Sequence, residues 1–470
     1  MLIRSRRDFL KATIRSATAI GAGSAMAKFA TMNALAANPA PTPAQYSALV
    51  CIFLAGGNDG HNMVVPITTA KQNYSLYAQA RGGLTIPQAS LLSINNGADT
   101  YGLHPSMPEM KALYNGGQVA ILANVGMLAK PLGGRVGYQA APAANLPSQL
   151  FSHSDQTGQW QTAIPSGLGS SGWGGRMADA MQNNGQNGGA KFPPVSSIVG
   201  CGQFCNGVNN LPSVIPPTTI PASGLATQAT AISRLGGFAA GSSGALEMQQ
   251  LLSFDNGLLL VQGGNNALSN GANYANTIAG LLPNNKLTTL FPANNPLANQ
   301  LLTAANVMSI QSQLGITRQI FFCTLGGFDT HGSQNETQPG LLQQLSQAMN
   351  AFYNCISNEM GIAKNVTTFT ASEFGRTLSP SGADGSDHAW GNHHFIMGGD
   401  VIGTKIYGTF PSLALGGPDD ANSRGTLIPS TGVDQYAATL AKWFGVSDSD
   451  MPTVLPNLAN FQVKNLNFLA

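Results

Sequence analysis

The stretch GSDHAWGNHHF, residues 385–395, holds three of the chain's seven histidines and an aspartate, although only 9% of the 470 residues are charged. Imidazole with carboxylate is the ligand set for zinc, manganese or iron, whereas carboxylates alone suit calcium or magnesium. The pairing recurs elsewhere. GGFDTHG places Asp329 and His331 two residues apart, on one side of an extended segment, between glycines that allow sharp turns. GGNDGH contains Asp59 and His61, and SEFGR contains Glu373 and Arg376. Asp387 and His388 are adjacent, so they can reach two metals, or one metal and the groups behind it. All seven histidines (His61, His104, His153, His331, His388, His393 and His394) fall in Gly-rich or polar junctions, four of them within three residues of an aspartate. Each cluster also has a plainer reading. Asp329 and His331 fit a hydrogen-bonded turn, Asp387 to His394 a polar loop, Asp59 a turn residue, and Glu373 an ion pair with Arg376.

A nucleophile is offered by QLFSHSDQTGQW, which contains Ser152, His153 and Ser154. Beside a metal, a serine alkoxide attacks phosphorus or sulfur without a separate base. The competing role for Ser152 is a helix N-cap. Arg376 and Arg176 are candidate clamps for a planar or tetrahedral anion. The chain has no G-x-S-x-G elbow, no P-loop and no G-x-G-x-x-G after its first apolar run.

Something must bring these scattered groups together. Apolar runs at 48–62, 118–126, 318–332, 365–377 and 393–403 each meet Gly-rich polar residues. Such runs read as strands buried on both faces. Helical patterns alternate with them. Leu341, Leu342, Leu345, Met349, Phe352, Tyr353, Ile356 and Met360 line one helix face, and VDQYAATLAKWFGV reads the same way. The expectation is an α/β three-layer sandwich around a mainly parallel sheet, whose carboxyl ends gather the ligand clusters at one rim. Residues 180–310, rich in Gly, Asn and Pro and without histidine, read as a loop-rich insertion covering one edge.

The remaining signals concern setting. A net charge of +2 supplies no basic field for nucleic acid. Arg6 and Arg7 ahead of Asp8, Phe9, Leu10 and Lys11, then a weakly apolar stretch and Ala34-Leu35-Ala36, read as a twin-arginine export signal over residues 1–36. Residues 37–470 then form a single domain, handled by the twin-arginine translocase during export and ending in the periplasm or outside the cell. No later run is long enough for a membrane span. Cys51 and Cys323 lie in apolar runs and read as buried thiols, while Cys201 and Cys205 are candidates for a short-loop disulfide.

FLAGGNDGHNMVVP, YGLHPSMPEMKALYNGGQVAILANVG, FSHSDQ, GGFDTHG, SEFGRT and GSDHAWGNHHFIMGG together resemble the bacterial DUF1501 family, in order over most of the chain. That family looks like a distant branch of the alkaline phosphatase and sulfatase superfamily. The resemblance implies an alkaline-phosphatase-like fold with a metal site at the strand ends. It implies metal-binding roles for Asp59, for Asp329 with His331, and for Asp387 with His388, completed by His394 or His393. It places Ser152 where the superfamily keeps its nucleophile. The usual Asp-His-Gly after the late strand is Ser-Glu-Phe-Gly here, so Glu373 or the Asp387–His388 pair must substitute. No Cys-x-Pro-x-Arg or Ser-x-Pro-x-Arg occurs, which disfavours a formylglycine sulfatase.

The first expectation is an exported, metal-dependent hydrolase of phosphate or sulfate esters. Its metal would be zinc or manganese ahead of calcium, its ligands Asp59, Asp329, His331, Glu373, Asp387, His388 and His394, and its catalytic groups Ser152, His153 and Arg376. Its partner is then a small anionic ester. The alternatives are a non-catalytic protein with a metal site that binds an extracellular ligand, and a non-haem iron redox enzyme.

Overall fold

The computed structural model describes residues 46–167, 169–200, 202–220, 262, 269–271, 273–274, 276–278, 280–282, 287–382 and 384–470. The expected export signal and Cys201, and with it the Cys201–Cys205 pairing, lie outside the described residues.

Twelve strands are described: β1 Ser47–Leu54, β2 Val64–Thr68, β3 Leu92–Asn96, β4 Asp99–Leu103, β5 Val119–Gly126, β6 Val195–Ser197, β7 Ser213–Val214, β8 Arg318–Leu325, β9 Val366–Ala371, β10 Asn392–Gly398, β11 Ile406–Gly408 and β12 Thr431–Gly432. Nine form one sheet in the order β11-β5-β10-β9-β1-β8-β6-β7, with β12 also paired to β5. Strands β2, β4 and β3 form a separate antiparallel sheet. In the large sheet every pairing is parallel except the two made by β10, with β5 and with β9. The five apolar runs are thus β1, β5, β8, β9 and β10, and the sheet is mainly parallel as expected.

Side-chain parity builds the two flanking layers. Ala48, Val50, Ile52 and Leu54 of β1 enter one core with Phe321 and Cys323 of β8, together with helices Pro296–Ser309 and Gln334–Asn354. Leu49, Cys51 and Phe53 point the other way, into a second core with Ile320 and Phe322 and helices Trp173–Asn183 and Val433–Phe444. A strand with apolar residues at both parities feeds both layers, which is why its sequence is continuously apolar. Cys51 and Cys323 are buried thiols in these two cores. Leu342, Leu345, Met349, Phe352 and Ile356 form the buried stripe that the helical spacing predicts. Within 180–310, β6 and β7 extend the large sheet at one edge, and helix Pro296–Ser309 packs on β8 and on helix Gln334–Asn354.

The reversal of β10 matters most for chemistry. Strands β1, β8 and β9 run one way, so the segments following them leave at their carboxyl ends. Because β10 runs oppositely, the segment that precedes it, Gly385–Gly391, arrives at that same rim. A register shift between Asn392 and His394, opposite Asn124 in left-handed backbone (φ 54°), bends β10 where it leaves the rim.

Candidate metal centre

Asp329 follows β8 and is the hub. Its Oδ1 lies 3.4 Å from His153 Nε2, 3.3 Å from His331 Nε2 and 3.7 Å from His388 Nε2, and it accepts from Arg376 Nη2. His153 opens helix His153–Thr162, His331 lies beyond Asp329, and His388 comes from the segment ahead of β10. Ligand atoms of His153, Asp329 and His388 all lie within 4.8 Å of one another.

The far sides of the imidazoles are held. His153 Nδ1 is 2.8 Å from Glu373 Oε1, and His388 Nδ1 is 2.7 Å from the Phe151 carbonyl. Both partners accept, so each Nδ1 carries a proton, and each Nε2 is turned to the Asp329 side of the site. This outer support is what orients metal-binding histidines. His153 Nε2 is buried and makes no hydrogen bond among the described residues. His388 and His331 bring their Nε2 atoms to 2.8 Å. A buried nitrogen without a hydrogen bond, next to a carboxylate and a second imidazole nitrogen, is a donor set that fits a divalent cation.

Electrostatics favour the ligating forms. Partial burial works against the Asp329 charge, but the Arg376 guanidinium, aided by His153 and His331, holds its carboxyl below the usual range. Burial lowers the His388 imidazole, and the nearby His153, Arg376 and His331 add to this against the Phe151 carbonyl. The hub is open: the Asp329 and His331 side chains are 51% and 48% exposed.

Glu373, expected as a ligand, stands behind His153. Its Oε1 also accepts the Gly56 amide at 2.8 Å, and its Oε2 the Ser372 hydroxyl at 3.3 Å. Phe374 forms a floor, its ring centroid 4.7 Å from those of both His153 and His388. Gly57, at φ 76°, makes room for it, since a Cβ there would lie 2.3 Å from that ring. Asp387 sits at the edge, 3.5 Å from His331 Nδ1 and 2.7 Å from Arg424 Nη1.

Other expected residues lie elsewhere or are already engaged. Asp59 is buried, ion-paired to Arg81, and accepts from Gln334 and from the His61 and Asn62 amides. Those bonds cap the short helix Gly60–Met63 and fill the carboxylate's acceptor sites, so the structure does not bring Asp59 into the cluster. Arg376 is fully buried and donates to the carbonyls of Gly56, Gly57 and Ser386, so it braces Asp329 with no free face for an anion. Arg176 is likewise spent on the carbonyls of Thr162, Ser171 and Val454, and burial presses its pKa down to about 10. Ser152 caps helix His153–Thr162, and its Oγ donates to Asp155 at 2.6 Å.

His394, expected as a ligand, is fully buried between Trp160 and Tyr436, where burial, then His393, lowers its pKa to about 3. His393 Nδ1 accepts the Asn124 amide, and its ring meets His61 edge-on. Arg81, Gln334 and the Phe151 carbonyl were not singled out by the sequence. Their roles depend on long-range packing that no local motif records.

The profile described as "Protein of unknown function (DUF1501)" matches residues 46–428. No curated protein matches the chain by sequence. Solved structures with some similarity include the PsFucS1 sulfatase from Pseudoalteromonas sp. (9% identity, 95% of this chain and 75% of that chain, TM-score 0.35). They also include the lipoteichoic acid synthase LtaP from Listeria monocytogenes (7% identity, 89% and 77%, TM-score 0.34). A third is the lipooligosaccharide phosphoethanolamine transferase A from Neisseria meningitidis (9% identity, 94% and 63%, TM-score 0.31). At these scores the likenesses decide nothing about this chain's activity. The family profile covers well over half of the sequence, bears out the resemblance read from the motifs, and makes this chain a member of the DUF1501 family.

Proposed function

We propose that His153, Asp329 and His388 hold a divalent cation, with His331 beside them, and that the protein is a metal-dependent hydrolase of phosphate or sulfate esters. The observation that carries this reading is the buried Nε2 of His153, which makes no hydrogen bond among the described residues, lies 3.4 Å from Asp329 Oδ1 and belongs to a ring backed by Glu373. Zinc or manganese suits two imidazoles and one carboxylate. A bound cation would supply Lewis-acid polarisation of the ester and ready access to hydroxide at neutral pH. This chain's residues do the rest. Glu373 and the Phe151 carbonyl keep the His153 and His388 tautomers correct, Arg376 keeps Asp329 ionised, and Phe374 shields one side of the site.

In this reading the attacking group is water, because the Ser152 hydroxyl is engaged with Asp155 and the helix end. Half-exposed Asp329 and His331 favour an enzyme over a sealed structural metal. Among the described residues no helix is long and apolar enough to cross a membrane, and export remains part of the proposal on the strength of Arg6 and Arg7. The test is elemental analysis of the purified protein, followed by aryl phosphate and aryl sulfate assays with the metal removed and restored. Activity that is lost on chelation and regained on adding zinc or manganese is the expected outcome.

A further inference from the structure

Two arginines stand beside the cluster, and they are not equivalent. Arg376 is buried and fully spent. The Arg424 side chain is 47% exposed, and its ion pair runs from Nη1 to Asp387 Oδ2 at 2.7 Å. Its Nε and Nη2 have no hydrogen-bond partner among the described residues.

The backbone under Arg424 is unusually well fixed. Asp420 is fully buried, and its carboxylate accepts the amides of Gly416, Asn422, Gly425 and Thr426 at 2.8–3.1 Å. The Arg424 amide donates to Asn422 Oδ1 at 3.1 Å, and its carbonyl accepts the Ser379 amide at 3.0 Å. Gly425 takes φ 78° directly against Leu378, a position where a Cβ would lie 2.3 Å from that side chain. Arg135 donates to the Asp420 carbonyl and to Ser423 Oγ, which brings a second guanidinium to the same loop. A preorganised loop carrying a half-exposed fork of donors loses little freedom when it binds.

Asp387 links this loop to the hub. Its Oδ1 is 3.5 Å from His331 Nδ1, and His331 Nε2 is 3.3 Å from Asp329 Oδ1. Arg424 therefore stands two side chains from the hub, along a row of partly exposed groups. We propose that Arg424 binds a tetrahedral oxyanion, the sulfate or phosphate group of a substrate or released product, at the edge formed by Asp387 and His331. This assignment rests on the reading of the cluster as an ester hydrolase's site. Guanidinium is the side chain whose planar fork matches such oxyanions. Asp387 competes for the same Nη1 until an anion arrives.

Calorimetric titration of the purified protein with inorganic phosphate and, separately, inorganic sulfate tests this, with and without zinc loading. Arg424→Gln is expected to weaken the better-bound anion at least tenfold in both states, with zinc stoichiometry unchanged. Asp387→Asn, which frees Nη1, is expected to bind the anion more tightly. Anion affinity in Arg424→Gln equal to wild type, weaker binding in Asp387→Asn, or no anion binding by the wild type overturns the assignment. Arg424-dependent anion binding in a protein that takes up no zinc would sink the metal reading and leave this one standing.

Discussion

His153 Nδ1 and Glu373 Oε1, 220 residues apart in sequence, lie 2.8 Å from each other. The contact joins the first turn of helix His153–Thr162 to the segment leaving β9, and it decides which imidazole nitrogen faces Asp329. Glu373→Gln keeps an acceptor for the Gly56 amide but removes the charge behind the ring. Zinc affinity should fall about 10–100-fold, measured by competition with a chromophoric chelator, with little change in the far-UV circular dichroism spectrum. Unchanged affinity would reduce Glu373 to a backbone anchor.

The buried pair of Asp59 and Arg81 makes a different prediction. Replacing Asp59 by Ala strands a guanidinium in the core, so denaturant unfolding should show a loss of about 3–5 kcal/mol. Asp59→Asn should still bind its full complement of zinc. Loss of one metal equivalent in that variant would return Asp59 to the ligand set.

Ser152 separates water attack from a serine nucleophile. Ser152→Ala should cost about 1 kcal/mol of stability through the lost helix cap and leave ester turnover within tenfold of wild type. A fall of a thousandfold with the fold intact would make Ser152 the nucleophile.

Four histidines predict acid sensitivity. Burial holds His61 at about 3, with Arg81 adding to it, and His104 at about 4. Burial, then a neighbouring histidine, holds His394 at about 3 and His393 well below its ordinary value. The unfolded chain protonates these groups near pH 6.5 and the folded chain does not, so below that pH the unfolded state binds more protons. Stability therefore rises with pH across this window and falls on acidification. Each group contributes at most about 1.4 kcal/mol per pH unit. Urea midpoints measured from pH 7 to pH 4 should drop steeply below pH 6. A flat profile would mean that these rings gain protons in the folded state.

The strands were legible because a sheet buried on both faces demands apolar residues at both parities, and β1, β5, β8 and β9 supply them. The junction histidines were legible because few other ionisable groups compete for attention in this chain. An apolar run carries no arrow, so the reversal of β10, which brings His388 to the rim, could not be read. Solitary arginines were misleading for a related reason. Whether a guanidinium faces solvent, as Arg424 does, or three carbonyls, as Arg376 does, depends on loops distant in sequence. His393 and His394 look like ligands beside His388 until β10 carries them into the core.

Metal content is the most direct test of the central claim. Inductively coupled plasma analysis of the wild-type protein after extensive dialysis should find about one equivalent of zinc or manganese per chain. Asp329→Ala, which removes the carboxylate that the three imidazole Nε2 atoms surround, should abolish it, and wild-type protein stripped by chelator should regain its metal in titration. A wild-type protein that carries no metal and takes none up, or an Asp329→Ala variant that binds as much as wild type, would contradict the account.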